Sequence, residues 1–351
     1  VDLRGWISVR IETARKGRGK RARLVAQIVP GGDELTSTYH GQPLDGKSLL
    51  ITRYGGGGDH LFLTALVAEL KRRYPTARIS IGGAKPWREV WRGSGLIEDY
   101  LVYPVPQVEV QKRDYYLTFE GTIEGRKEGQ EAEPRRENVY DIFFELAGCG
   151  DTPDSRKIPV LGTTPAGRDY ADRVLKQCRK PVICYQWEAS MVNRTYPHSL
   201  SLKLLFLLAQ SGQVLLLGKR LPRPEFVPRG VLGLNTPRLE QAFGILAKSD
   251  LLVGPDSMFL HAAVALGVAT VPIFGPISAE ARVRTYPRCF PVEGAAECGP
   301  CFTHSVNPCK SPMYERKSDT GEVVGIWCKR MVIPPEKIAD AARRALNDPQ
   351  G

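Results

Sequence analysis

No run of 18 apolar residues occurs in the chain, which excludes an ordinary membrane-spanning helix. The opening VDLRGWISVR lacks the charged-then-apolar layout of a secretory signal, so the cytoplasm is the expected compartment. Acidic residues are the scarcer sign, 38 against 49 basic ones, leaving a formal charge of +11. That surplus favours an anionic partner: a nucleotide, a phosphorylated glycan, nucleic acid or a membrane surface, which net charge does not separate. The glycine run at 55–58 is neither a GxGxxG fingerprint nor a P-loop, because no Gly-Lys-Ser/Thr follows it. Eight cysteines in a chain of cytoplasmic character point to thiols or a metal before disulfides.

What is present is 351 residues with 42% hydrophobic content, enough for two domains and a small extra module. Residues 1–47 read as a basic β module and its linker. Ile7, Val9 and Ile11 alternate on one strand, and 23–29 can pair back across a charged turn. The module is a basic finger or simply a small hairpin with a solvated turn. Residues 48–162 form a first α/β domain, opening as the strand Leu49–Thr52, the loop 53–59, a helix from His60 to Tyr74 and a strand at 77–81. Residues 120–137 are charged and poor in apolar side chains, as in a surface loop or lid. Residues 163–351 form a second α/β domain, with strands at 181–185 and 213–217, helices between them and a terminal helix over 335–346.

Within that half, LLVGPDSMFLHAAVALGVATVPIFG (251–275) is a strand, a tight turn, a short helix and a second strand. The turn sets Asp256, Ser257 and unpaired backbone N–H groups at a helix N-terminus, where phosphate binds readily, and His261 follows one helical turn later. An Asp/Ser helix cap accounts for the same residues. In the first half, Gly57 and Gly58 let the backbone approach a ligand closely, and Asp59 stands at the loop–helix junction, as a base or as a cap.

RYGGGGDHLFLTALVAELKRRYP (53–75) resembles the N-terminal signature of the heptosyltransferases, glycosyltransferase family 9, and Leu252–Pro276 resembles the second signature, about 200 residues later. The resemblance covers roughly 48–350 and implies a GT-B fold, two Rossmann-like domains facing a cleft. It implies an inverting transfer without a catalytic metal, most often of heptose from ADP-heptose, with Asp59 as base. Asp256, Ser257, Met258 and His261 fall at the donor contacts of the family. Ser190 and Arg194 fall at its phosphate loop, and Gly218 and Lys219 at its ribose position. Met258 replaces a usual glycine, Lys219-Arg220 replaces a usual acid, and Arg194 a usual lysine.

Cys298, Cys301, Cys309 and Cys328 have the spacing C-x2-C-x7-C-x18-C, which suits a structural Zn or Fe ion with no open position. Relatives that glycosylate bacterial autotransporter proteins look similar in this region and in their N-terminal module. His304 or Cys289 can stand in for one ligand, while Cys149, Cys178 and Cys184 lie in apolar contexts and read as core. The leading expectation is a glycosyltransferase acting on a protein Ser/Thr or glycan hydroxyl. A glycosyltransferase on modified nucleic acid, a non-catalytic nucleic-acid-binding relative and a redox protein using the CxxC are the alternatives. Homo-oligomer formation is left open.

Overall fold

Two all-parallel sheets carry the chain. The computed structural model describes residues 9–13, 22–26, 36–123, 136–218, 221–234, 238–303, 309, 311–316 and 323–348. An N-terminal antiparallel hairpin pairs β1 (Val9–Thr13) with β2 (Ala22–Ala26), Ile11 opposite Leu24. The first sheet contains β3 (Ser37–Thr38), β4 (Ser48–Thr52), β5 (Arg78–Gly83), β6 (Asp99–Val102) and β7 (Tyr115–Thr118), in the order β3-β7-β4-β5-β6. The second contains β8 (Val182–Gln186), β9 (Gln213–Leu217), β10 (Val231–Leu234), β11 (Leu251–Pro255), β12 (Ala269–Phe274) and β13 (Val292–Glu293). Its order, β10-β9-β8-β11-β12-β13, is that of a dinucleotide-binding fold. A hairpin, β14 (Pro312–Arg316) and β15 (Val323–Cys328), stands apart from both.

The helices follow from apolar spacing and caps. In the first half they are α1 (Gly57–Arg73), α2 (Arg88–Trp91), α3 (Gln107–Gln111) and α4 (Val139–Leu146), the last capped by the Asn138 side chain. In the second they are α5 (Pro165–Leu175), α6 (His198–Ser211), α7 (Leu239–Ala247), α8 (Met258–Ala265), α9 (Glu280–Val283) and α10 (Pro335–Asn347). α10 lays Ile338, Ala341, Ala342 and Ala345 on the second sheet, whereas α1 is apolar almost all round. The reason is that α1 is covered on several sides: by its own sheet, by α4 and by α8. One core therefore runs from Leu49 and Ile51 through Leu63 and Leu66 to Leu260 and Ala263. Each such side chain contributes roughly 1.5–3 kcal/mol on burial.

The chain departs from expectation in three places. α1 starts at Gly57 rather than His60, so the loop after β4 is only a few residues long. Tyr115–Thr118, a short strand that no turn signal announces, fills the place beside β4. The module and linker expected over 1–47 contribute the edge strand Ser37–Thr38 to the first sheet, and the opposite edge is the short strand Asp99–Val102. Most of the proposed lid at 120–137 lies outside the described residues.

Candidate active site

In a parallel sheet the ligand crevice opens where the chain order reverses, beyond the C-terminal ends of the strands. In the first sheet that point lies between β4 and β7, in the second between β8 and β11.

Beyond β4 the chain reaches Arg53, a nearly fully buried guanidinium. Its Nη1 donates to the Phe119 carbonyl just past β7 at 2.7 Å, tying the two strand ends together. Its Nε and Nη2 donate to Asp59 Oδ2 at 3.1 and 2.8 Å, and the Gly56 N–H donates to the same oxygen at 3.0 Å. Burial pushes the Asp59 carboxyl up, but the charge and hydrogen bonds of Arg53 outweigh it and hold the group below the usual carboxylate range. Asp59 is therefore ionised, and among the described residues Oδ1 accepts no hydrogen bond. The carboxylate caps its helix with one oxygen and offers the other to the cleft. His60 points the opposite way. Its Nδ1 accepts from Trp91 Nε1 at 3.0 Å, and burial drives its pKa down to about 4, so the ring is neutral.

Beyond β11, Asp256 is buried at the entrance to α8. Arg194 Nη1 lies 3.3 Å from its Oδ2 and 3.1 Å from its backbone carbonyl, while Nη2 donates to Ser190 Oγ at 3.1 Å. Arg194 Nε is buried without a partner among the described residues. On the other side of Asp256 lie His261 Nε2, 3.7 Å from Oδ1, and Arg282 Nε, 4.0 Å from Oδ2. Burial pushes Asp256 up; His261 and the two guanidinium charges more than reverse this and keep it ionised. His261 is also buried, which pushes its own pKa down, and its Nδ1 is 2.8 Å from the Tyr286 hydroxyl. Tyr286 in turn is 2.9 Å from Tyr140 Oη. A neutral His261 with Nε2–H facing Asp256 satisfies this chain in a single direction. Ser257 Oγ donates to Gln186 Oε1 at the end of β8 and accepts the Phe259 N–H at 3.3 Å, so it both caps α8 and links β8 to β11.

The two halves touch at the helix starts. A Cβ on Gly57 would meet Met258 Sδ at 2.3 Å, and one on Gly58 would meet His261 Cδ2 at 3.2 Å. Phe62 packs on the His261 ring, with centroids 4.4 Å apart. Gly57 and Gly58 thus belong to the first turn of α1, where they allow close helix contact, and Met258 covers Gly57 in place of the usual glycine. The structure brings Ser190, Arg194, Asp256 and Ser257 together. Gly218 stands at the end of β9, where a Cβ would lie 3.3 Å from that of Trp187. Lys219 lies outside the described residues. Arg282, Tyr286 and Gln186 were not singled out from the sequence. Arg282 sits on a one-turn helix after a Gly-Pro pair, where no periodicity marks it as buried.

Cys328 ends β15, with Cys298 and Cys301 within electrostatic range of it. The register of the strand sets Pro312 opposite Cys328, three residues beyond Cys309. Burial pushes the Cys328 thiol up, Cys301 and Cys298 add to this, and the backbone N–H groups of Arg330 and Met331 act against it. Arg330 fixes the CxxC turn, donating to the carbonyls of Gly275, Ala296 and Gly299 at 2.8, 2.7 and 2.7 Å. Among the described residues no three His, Cys, Asp or Glu side chains are close enough together to hold an ion. Cys289 lies beside Thr270 at the opposite end of β12 and is no substitute ligand, and His304 is outside the described residues. This module braces the loop after β8 and the start of α6. Asn193 Nδ2 donates to the Thr303 carbonyl at 2.7 Å, and His198 is held between Trp187 and Trp327.

An ionised carboxylate beyond one sheet's switch point and a helix start flanked by two guanidinium groups beyond the other's are the chemical features the two halves present. The chain belongs to glycosyltransferase family 9 (heptosyltransferase), whose profile matches residues 130–308. Three solved structures show the same fold. The E. coli ADP-heptose LPS heptosyltransferase II is 16% identical over 86% of this chain and 99% of its own, with a TM-score of 0.63. The iron-containing dodecameric glycosyltransferase TibC from enterotoxigenic E. coli H10407 is 12% identical over 94% and 83%, with a TM-score of 0.60. TibC in complex with ADP-D-beta-D-heptose is 11% identical over 95% and 81%, with a TM-score of 0.61. No curated protein sequence matches the chain. Among the described residues no helix is long and apolar enough to cross a membrane.

Proposed function

We propose that the chain transfers a heptose from ADP-heptose to a hydroxyl of a protein Ser/Thr or a glycan, with inversion and without a catalytic metal. The carrying observation is that Asp59 keeps Oδ1 unbonded while Arg53 holds its other oxygen. The acceptor hydroxyl gives its proton to Oδ1 as its oxygen forms the bond to the sugar C1. The C1–O bond to the diphosphate breaks on the opposite face, and ADP leaves with the electron pair. A carboxylate held by Arg53 is a weak base, which suits a proton that becomes acidic only as the new bond forms. The growing charge on the diphosphate meets Arg194, whose buried Nε lacks a partner, and the N–H groups that open α8. His261, neutral and turned inward, keeps Asp256 ionised and in place. TibC, solved with ADP-D-beta-D-heptose, supports the choice of donor.

The four cysteines form the second part of the reading. The spacing of Cys298, Cys301, Cys309 and Cys328 suits one Fe or Zn ion, which the four thiols would have to draw closer together to hold. Such an ion supplies rigidity rather than chemistry.

The test is donor hydrolysis and binding across ADP-, UDP-, GDP- and dTDP-sugars. Wild type is expected to bind and turn over an ADP-sugar. Asp256→Ala loses binding, while Asp59→Asn keeps binding and loses at least about 100-fold in turnover. Equal turnover by Asp59→Asn and wild type refutes the assigned base.

A further inference from the structure

Arg282 lacks the partners that a buried guanidinium usually has. Only about 5% of the residue is exposed, yet among the described residues it donates a single hydrogen bond, from Nη1 to the Ala281 carbonyl at 3.2 Å. Its Nε is 4.0 Å from Asp256 Oδ2, beyond hydrogen-bonding reach. A guanidinium carries five N–H donors. None of those left over is among the sealed, partnerless atoms of the described residues, so they keep some access to solvent. Arg194 and Arg282 approach the same oxygen of Asp256. With Arg53 paired to Asp59, these three groups leave one positive charge in excess in a place largely shielded from water. That is the balance an incoming diphosphate would complete.

The two arginines differ in what else they are tied to. Arg194 reaches back to Ser190 in the loop after β8. Arg282 lies on α9, which is tied to the first domain where Asn138 Nδ2 donates to the Glu280 carbonyl at 2.7 Å and Arg284 pairs with Asp141 at 2.9 Å. The reacting carbon must stand between the Asp59 carboxylate and the diphosphate, so the phosphate bonded to it is the one nearer Asp59.

We propose that Arg282 binds the sugar-linked phosphate, the β-phosphate of the donor, and stabilises it as it leaves, while Arg194 holds the phosphate nearer the nucleoside. This rests on the donor assignment above. In the resting protein Asp256 is the counter-ion that keeps the two arginines together, and the diphosphate shares them on binding.

The experiment compares ADP and AMP binding by calorimetry in wild type, Arg282→Gln and Arg282→Lys, with thermal midpoints recorded for each. Wild type prefers ADP. Arg282→Gln loses about 10-fold or more in ADP affinity while AMP affinity stays within about 2-fold, and Arg282→Lys recovers part of the preference. An unchanged ADP-to-AMP ratio in Arg282→Gln overturns the assignment, as does equal weakening of both nucleotides, the mark of a merely structural arginine. If Arg282→Gln does not fold, the Arg282→Lys ratio carries the test, and a wild-type ratio there overturns it. Wild type binding neither nucleotide is a separate result: it removes the donor reading itself.

Discussion

Two adjacent glycines respond in opposite ways to the same added methyl group. A Cβ on Gly55 would stand 1.9 Å from Asp59 Oδ2 and 2.5 Å from Arg53 Nε, while one on Gly56 meets nothing within 4 Å. Neither residue has a left-handed backbone, so contact alone separates them. In Gly55→Ala the carboxylate must retreat by about 1 Å, which strains its hydrogen bonds to Arg53 and loosens the cap of α1. Weakening a buried charged hydrogen bond costs roughly 1.5–3 kcal/mol. For domains of this size that lowers the thermal midpoint by roughly 3–12 °C. A misplacement of about 1 Å at the base also reduces turnover by on the order of 100-fold. ADP binding, which uses the other half, is unaffected. Gly56→Ala stays within about 1 kcal/mol, since its slightly poorer cap is offset by lower unfolded-state entropy. Differential scanning calorimetry and donor turnover on the two variants test this. Equal behaviour of the pair, in either direction, refutes the account of the Arg53–Asp59 contact.

The remaining predictions concern pH and the cysteine module. His60 titrates near 6.5 in the unfolded chain and about 4 in the folded one, so below pH 6.5 the unfolded state takes up the proton first. Stability therefore falls as pH drops from 6.5 to 4, by on the order of 3 kcal/mol from this residue. Urea midpoints at pH 7 and 4.5 should differ less in His60→Gln, and an unchanged slope speaks against the buried neutral imidazole. Arg330→Met removes the donor to three carbonyls around the CxxC turn. Metal per chain, read by plasma mass spectrometry, should fall, and thiol reactivity should rise; neither changing means that Arg330 does not organise the turn. Removing the proposed ion with a chelator should weaken ADP binding several-fold through the Thr303–Asn193 link while leaving an Asp59-dependent pH profile intact. Unaltered ADP affinity in the metal-free protein uncouples the module from the donor loop.

How much was legible depended on what buries each residue. β9 matches the strand expected at 213–217 residue for residue, since its apolar run ends at Gly218 and is buried by neighbouring strands. β7 was missed because four residues, YYLT, give too short an alternation, and it is long-range pairing with β4 that makes them a strand. The glycine run was read as freedom of the backbone. In the fold it serves proximity, to Arg53 and Asp59 at Gly55 and to α8 at Gly57 and Gly58, a distinction that composition does not carry. Charge misled in a similar way. Arg53, Arg282 and Arg330 count toward the +11 surplus, yet all three are buried and act on the interior. A sequence shows a cation's sign but not the side of the surface on which it lies.

The structural duty of Asp59, beside the catalytic one proposed for it, has an evolutionary consequence. Because one carboxylate oxygen fastens Arg53 and the start of α1, a descendant that abandoned catalysis would still suffer in folding if it lost the aspartate. Selection for a folded protein alone is enough to retain it. An aspartate at this position in a homologous gene is thus a poor diagnostic of a working enzyme. Pseudoenzymes of this lineage are better sought at residues whose loss leaves the first domain intact.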